Sequence, residues 1–415
     1  MILGKYSFGI GDRFGQQGKA LVAAIKEAQR VGVEVTAVWN KSHREHSIVG
    51  TRPESVRAEA DEAAQSMMWA GAYFVDADHI NLRNVDGFVR TCDFFTLDVA
   101  DFIGMAASRE EIDNFIDGCV GYIDGITVPG IEGSIAVNEQ MVRATAGKYL
   151  TAVKEAGKLY RHIASKKGVG NFIVELSMDE TDEAQTPVEL FFILAAVAQE
   201  EIPVQTIAPR FCGRFNKGVD YAGDVERFAS EFERDLAVIG HAVAEFGLPA
   251  NLKLSVHSGS DKFLIYGAMN SAIRKFGAGL HVKTAGTTWL EEVAGLALAG
   301  GEYLDIAKRI YSEAYRRIDE LIGPYSTVVD IDRSRLPSPE VAAEWNAKKF
   351  DDALRHNTGC GRYNPNVRQL LHVGYKAAAE MGKEFTDAVM DCERIIGPNV
   401  TENIYQRHIK PIFIE

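Results

Sequence analysis

Side chains able to do chemistry collect in this sequence where short apolar runs end. The run at 252–256 stops and sets down His257, Ser258, Ser260, Asp261 and Lys262 around Gly259. An imidazole there could ligate a divalent metal or move a proton, and Lys262 could receive an anionic substrate group as a point charge. The run at 172–174 ends in Glu175. A carboxylate at the end of a buried strand must be paired, protonated or on a cation, because burying it alone is very costly; the bland reading is a salt-bridged polar layer. Runs at 72–75 and 94–97 end in Asp76, Asp78 and His79, and in Asp98. These are metal or acid/base groups, or else helix N-caps with an incidental histidine. Strand alternation puts Asp76 and Asp78 on one side. The run at 280–282 ends in Lys283, which could form a Schiff base when desolvated or could neutralise carboxylates. Gly286, Thr287 and Thr288 follow it into a helix start suited to an anion.

Other groups carry weaker signals. Gly9, Gly11 and Gly15 follow a strand and open a helix, but the third glycine comes one residue late for a dinucleotide fingerprint. The next run ends at Asn40 without an acidic residue to hold a ribose, so a glycine-rich turn at a barrel mouth is favoured, with Asp12 and Arg13 able to face the pocket. His43 and His46 read as part of a solvated polar loop, with one member at most on substrate. His372 lies at the edge of the apolar face of a helix over 366–381. It is either a surface histidine or one that the helix lowers onto a site.

The elements that must position these groups alternate. Eight apolar runs, at 6–10, 33–38, 72–75, 94–97, 172–174, 204–207, 252–256 and 280–282, are separated by amphipathic helical stretches, among them 16–30, 53–70, 140–166, 187–200 and 224–246. Eight β/α units predict a (β/α)8 barrel of the TIM type, whose chemistry sits at the carboxyl ends of the strands. The barrel is expected over 1–300, with a helical excursion around 103–168, because the gap between Asp98 and Phe172 exceeds one crossover helix. Residues 301–415 carry almost no strand pattern and predict a helical extension packed on the barrel.

Composition narrows the function classes. The chain has 415 residues, a net charge of −13 and no offsetting Lys/Arg cluster, which argues against a nucleic-acid surface. No apolar run approaches the ~20 residues of a membrane span. Five widely spaced cysteines without a CxxC indicate neither a disulfide framework nor a thiolate zinc site, and a reducing cytoplasm is the expected setting. The oligomeric state is left open, a homo-oligomer included.

Six segments, in order along nearly the whole chain, carry a resemblance. They are 6–14, the stretch from Arg44, Glu45 and His46 to Gly50 and Thr51, the run Val75 to Ile80, 254–263 around His257, 281–288 around Lys283, and 368–376 around His372. Together they resemble the bacterial tagaturonate/fructuronate epimerase family. The resemblance implies a metal-dependent enzyme that interconverts two ketohexuronates, with a small sugar acid as its partner and zinc, manganese, nickel or cobalt as its ion. Those sugar acids differ at a carbon one bond beyond the position next to the ketone, which simple enolisation cannot invert. Transient oxidation would need a hydride carrier, and no convincing dinucleotide fingerprint is present. Retro-aldol cleavage and re-addition through a metal-stabilised enediolate is the favoured route. On the strand-end reading, Glu175, His257 and His372 hold the ion, and Asp98 or Asp76 shuttles the proton. Lys283 or Lys262, with Arg13, holds the carboxylate, and Ser258 and Thr287 complete the substrate contacts. The alternatives are another ketose isomerase, an aldolase with a Schiff base at Lys283, or a non-catalytic sugar-acid-binding protein.

Overall fold

Eight strands close on one another in chain order, each parallel to its neighbours. They are β1 (Tyr6–Ile10), β2 (Val35–Ser42), β3 (Tyr73–Ile80), β4 (Phe94–Asp98), β5 (Ile173–Ser177), β6 (Thr206–Ala208), β7 (Lys253–Val256) and β8 (Leu280–Thr284), with helices around them. The structure is a computed structural model that describes residues 1–181, 183–284 and 286–415. Asp182 and Ala285, the latter part of the 281–288 segment, lie outside the described residues. This is the (β/α)8 barrel that the alternating runs predict.

Alternation sorts each strand between two environments. Val75 and Ala77 of β3 join the large apolar core under the surrounding helices, while Phe74 lies in a second cluster with Leu3, Val38, Phe94 and Ile173. That second cluster fills the barrel floor. Asp76 and Asp78 follow Phe74 at two-residue spacing and face the same interior higher up. The interior is therefore apolar below and charged at the mouth, where (β/α)8 proteins keep their chemistry.

Several strands run further than their apolar patterns: β2 continues to Ser42, β3 to Ile80 and β5 to Ser177. Their polar ends stay paired with the neighbouring strands, Ser42 with Asp78 and Ser177 with Asp98, so leaving the apolar run does not mean leaving the sheet. Between β4 and β5 the chain makes helix Arg109–Cys119, an isolated bridge between Ile126 and Ile135, and then the 29-residue helix Glu139–Lys167. The last packs against helix Pro187–Gln199, which starts with a capping box between Thr186 and Glu189.

After helix Thr287–Ala299 all regular structure among the described residues is helical. Helix Glu393–Glu402 packs on both Thr287–Ala299 and Gly18–Arg30. Helix Pro365–Val373 is tied to the turn after β7 by Arg368, whose Nη2 lies 2.8 Å from Asp261 Oδ2, both side chains 1% exposed. A pair this deeply buried is destabilising to break, because the remaining partner keeps its charge. No helix among the described residues is long and apolar enough to cross a membrane.

Candidate active site

A cavity of about 460 Å³ opens at the carboxyl ends of the strands, walled by loop residues near Phe215 and Lys217 and by Pro324, Tyr325 and Val328 of the helical part. At its base, Lys283 Nζ lies 2.6 Å from Asp76 Oδ2, 2.9 Å from Asp78 Oδ1 and 2.7 Å from Glu175 Oε1. It also donates to Thr96 Oγ1, which itself sits 2.9 Å from Asp76 and 3.1 Å from Glu175. Four strands thus meet at one ammonium. Burial opposes that charge, yet Asp76, Asp78 and Glu175 outweigh it and hold the Lys283 pKa well above the ordinary lysine value. One ammonium cannot serve three carboxylates equally. Burial pushes Asp76 up to about 7, whereas for Asp78 the same penalty is overcome by Lys283 and the nearby imidazoles, leaving it at about 2.

Above this cluster stand two imidazoles with ring centroids 5.1 Å apart, those of His79 and His257. His257 Nε2 is 2.8 Å from Glu175 Oε1 and its Nδ1 is 3.1 Å from Asp179 Oδ1, which also accepts from Ser177 Oγ at 2.6 Å. His79 Nδ1 is 3.2 Å from Asp98 Oδ2. Burial works against an imidazolium at His257, but Asp179 and Glu175 raise its pKa to about 9. His79 is raised well above the usual histidine value, with Asp78 and Asp98 overcoming burial. His79, Asp179 and His257 all line the cavity, and each offers a ligand atom within 4.8 Å of the others. Two imidazoles and a carboxylate form a donor set suited to a divalent transition metal.

His79 reaches the cavity through a local irregularity. Its φ is +51°, and the pairing of β3 with β4 shifts register between Ala77 and Ile80. A bulge of this kind re-aims a side chain, so Asp78 and His79, adjacent in sequence, both face the mouth. Strand alternation alone predicts only one of them there. Asp179, four residues beyond Glu175, is brought back by the turn after β5. The sequence reading counts His79 among the candidate groups at the end of its run but leaves it out of the ligand set, and it passes over Asp179. The signal for each is its position just past an apolar run, His79 still within β3 and Asp179 in the turn after β5.

The expected site residues divide into those that meet and those that stand apart. Glu175 and His257 are in contact, and Lys283 sits at the centre of the carboxylates. Asp76 lies beneath Lys283 and Asp98 behind His79, so neither is among the residues lining the cavity. His372 does not line it either; its ring packs where a side chain at Gly286 or Gly218 would have to go. Arg13 faces the cavity but is committed: Nε is 3.2 Å from Glu45 Oε1, Nη1 donates to the His372 carbonyl at 2.7 Å, and the guanidinium stacks 3.8 Å from the Tyr375 ring centroid. Lys262 points away, its ammonium donating to the carbonyls of Asn216, Val219 and Ser260. Thr287 is buried in the first turn of its helix, off the cavity, whereas Ser258 lines it. The loop expected around His43 and His46 is helix His43–Val49, begun by a capping box between Ser42 and Glu45, and His46 is buried with Nδ1 2.9 Å from Thr51 Oγ1.

Known proteins share this fold. The chain is 26% identical to the tagaturonate/fructuronate epimerase of Thermotoga maritima, across 97% of this chain and 80% of that protein. It superposes on crystal structures of the fructuronate-tagaturonate epimerase of Cohnella laeviribosi. With one glycerol bound, the TM-score is 0.81 over 98% of this chain and 81% of that one; for the native crystal it is 0.79 over the same shares, at 22% identity in both. The family model described as tagaturonate epimerase (UxaE) matches residues 2–395, and the chain belongs to that family.

Proposed function

We propose that this chain interconverts D-tagaturonate and D-fructuronate by breaking and re-forming one carbon–carbon bond, with a divalent metal ion at its mouth. The observation that carries the reading is the convergence of His79, Asp179 and His257 on the cavity directly above the Lys283 carboxylate cluster. Those three residues would hold the ion. When bound, it supplies Lewis-acid chemistry at the ketone end of the sugar acid.

The chain's own residues account for the proton. Inversion by retro-aldol cleavage requires the hydroxyl on the inverted carbon to lose its proton as the bond breaks and to regain it when the bond re-forms on the other face of the aldehyde. Atoms are conserved and no oxidant is needed. Asp78, which faces the cavity beside Lys283, is the carboxylate that contacts that hydroxyl; held at about 2 it is a weak base and passes the proton on. Asp76, on the same ammonium with a pKa near neutrality, is suited to exchange it. Lys283 fixes both carboxylates. A lysine held as an ammonium by three carboxylates is a poor Schiff-base nucleophile, which favours this route over an aldolase mechanism at Lys283. Asp98 orients the His79 ring and selects its tautomer.

The test is direct: purified protein, stripped and reloaded with manganese, nickel, cobalt or zinc, is given tagaturonate and assayed for fructuronate. Absence of product with every metal would defeat the proposal.

A further inference from the structure

A sugar acid brings a carboxylate into a cavity already rich in acids, among them Glu45, Asp78, Asp179 and Glu180, so its charge needs a cation that is not already used. Among the described residues, six lysine and arginine side chains line the cavity: Arg13, Arg44, Arg210, Arg214, Lys217 and Lys283. Arg13 is paired with Glu45, Lys283 with three carboxylates, and Arg214 with Asp330 at 3.2 Å. Arg210 lies 3.4 Å from the Asp179 carbonyl through Nη1, and Arg44 covers the Tyr325 ring at 4.8 Å. Lys217 is different. Like Arg44 and Arg210 it forms no ion pair with a carboxylate among the described residues, but Arg44 is exposed and Arg210 leans on a backbone carbonyl, whereas the Lys217 ammonium is partly buried and donates to Ser258 Oγ at 2.7 Å, next to His257. A buried charge without a counter-ion is costly and is relieved by an anion that docks on it.

We infer that Lys217, with the Ser258 hydroxyl beside it, binds the carboxylate of the sugar acid and selects ketohexuronates over neutral ketoses. The inference rests on the epimerase reading for its substrate class. Ser258 directly follows His257, so this subsite adjoins the histidines. The loop that carries Lys217 is also held in place. Its own backbone N–H donates to the Val328 carbonyl at 2.8 Å, and the Lys262 ammonium grips the carbonyls of Asn216 and Val219 on either side. Lys262 thus acts as a positioning residue for the cation that meets substrate, and a cation fixed in advance loses little freedom on binding. Burial lowers the Lys217 pKa, with Glu180 and Asp179 opposing from beyond ion-pair distance, which is the imbalance that a bound carboxylate corrects.

The test uses the full-length protein, chelator-treated so that only ground-state binding is read, and thermal-shift titration with two probes, tagaturonate and the neutral ketose tagatose. Lys217→Met weakens tagaturonate binding about 30-fold or more and leaves tagatose binding within about twofold of wild type; Lys217→Arg recovers most of the loss. Unchanged tagaturonate binding in Lys217→Met, or equal weakening of both probes, would overturn the assignment, the second outcome meaning that Lys217 only shapes the loop. Failure of the epimerase reading looks different: wild type would still bind the acid in preference to the neutral ketose but make no fructuronate with any metal.

Discussion

Two lysines on neighbouring strands, Lys253 of β7 and Lys283 of β8, sit at opposite ends of the same barrel and are both buried. At the floor, the Lys253 ammonium has, among the described residues, only backbone carbonyls, those of Leu3, Gly4 and Lys5, and burial pushes its pKa down to about 7. At the mouth, Lys283 has three carboxylates and is held charged. Depth of burial does not decide the charge of a lysine in this molecule; the partners do. The floor tolerates a cation that can give up its proton, and it closes the barrel by hydrogen bonding to the segment before β1. The mouth keeps a permanent cation and lets the carboxylates around it divide the remaining protons.

Removing the mouth lysine is the hardest test of that contrast. Lys283→Met leaves Asp76, Asp78 and Glu175 facing one another without a counter-charge. Unfolding in urea is expected to show a loss of about 3–5 kcal/mol, and turnover of tagaturonate to fall by about a thousandfold or more. Activity within tenfold of wild type would mean that the ammonium is a structural plug like Lys253.

Next in size are the histidines above it. His257→Ala is expected to cut divalent-metal affinity by at least about 100-fold, measured by competition with a chromophoric chelator. Asp98→Asn alters the group behind His79 while keeping an oxygen for the Ala100 N–H, and should cost about 10- to 100-fold. Retention of full affinity in both variants would remove the His79, Asp179 and His257 donor set. The same set predicts a pH dependence with a definite sign. The metal-free protein holds both imidazoles protonated, His257 up to about 9, and an ion must displace those protons. Affinity therefore rises with pH through about 9, with proton release on binding near neutrality seen by calorimetry in buffers of different ionisation enthalpy. A flat profile between about 6 and 9 would contradict the protonation assigned to His257.

How far the sequence reaches follows the same division between local pattern and long-range pairing. The eight strands are legible because each is a short apolar run with helical spacing on either side, and Glu175, His257 and Lys283 are legible because each directly follows such a run. His79 is not, since a bulge rather than alternation turns it inward. Asp179 is not, since it returns from a turn whose path depends on Ser177 and His257. Lys217 sits in a loop between β6 and its helix with no pattern at all. Its role depends on which other cations are already paired, and pairing across 41 residues to Ser258 is invisible in sequence. His372 and Lys262 illustrate the opposite error: both lie in segments that carry the family resemblance, yet one packs against glycines and the other braces a loop. Motif membership locates the neighbourhood of a site but does not say which way a side chain points.

The smallest effect on activity belongs to the floor. Lys253→Met should leave turnover within about twofold of wild type, because its carbonyl partners lie at the end of the barrel away from the cavity. Its signature is in stability against pH. A lysine whose folded pKa is lowered to about 7 from the ordinary 10.5 binds fewer protons folded than unfolded across that interval, so wild-type stability gains from Lys253 as pH rises, by up to about 1.4 kcal/mol per pH unit. The methionine variant lacks that term. It should match or exceed wild type near pH 7, where the buried charge is a burden, and fall below it near pH 10, where the neutral amine still donates to the carbonyls at no charge penalty. Urea midpoints for the two proteins should therefore cross. Curves that stay parallel over this range would mean that the floor lysine keeps its proton, and the contrast with Lys283 would then be one of partners without a difference in charge.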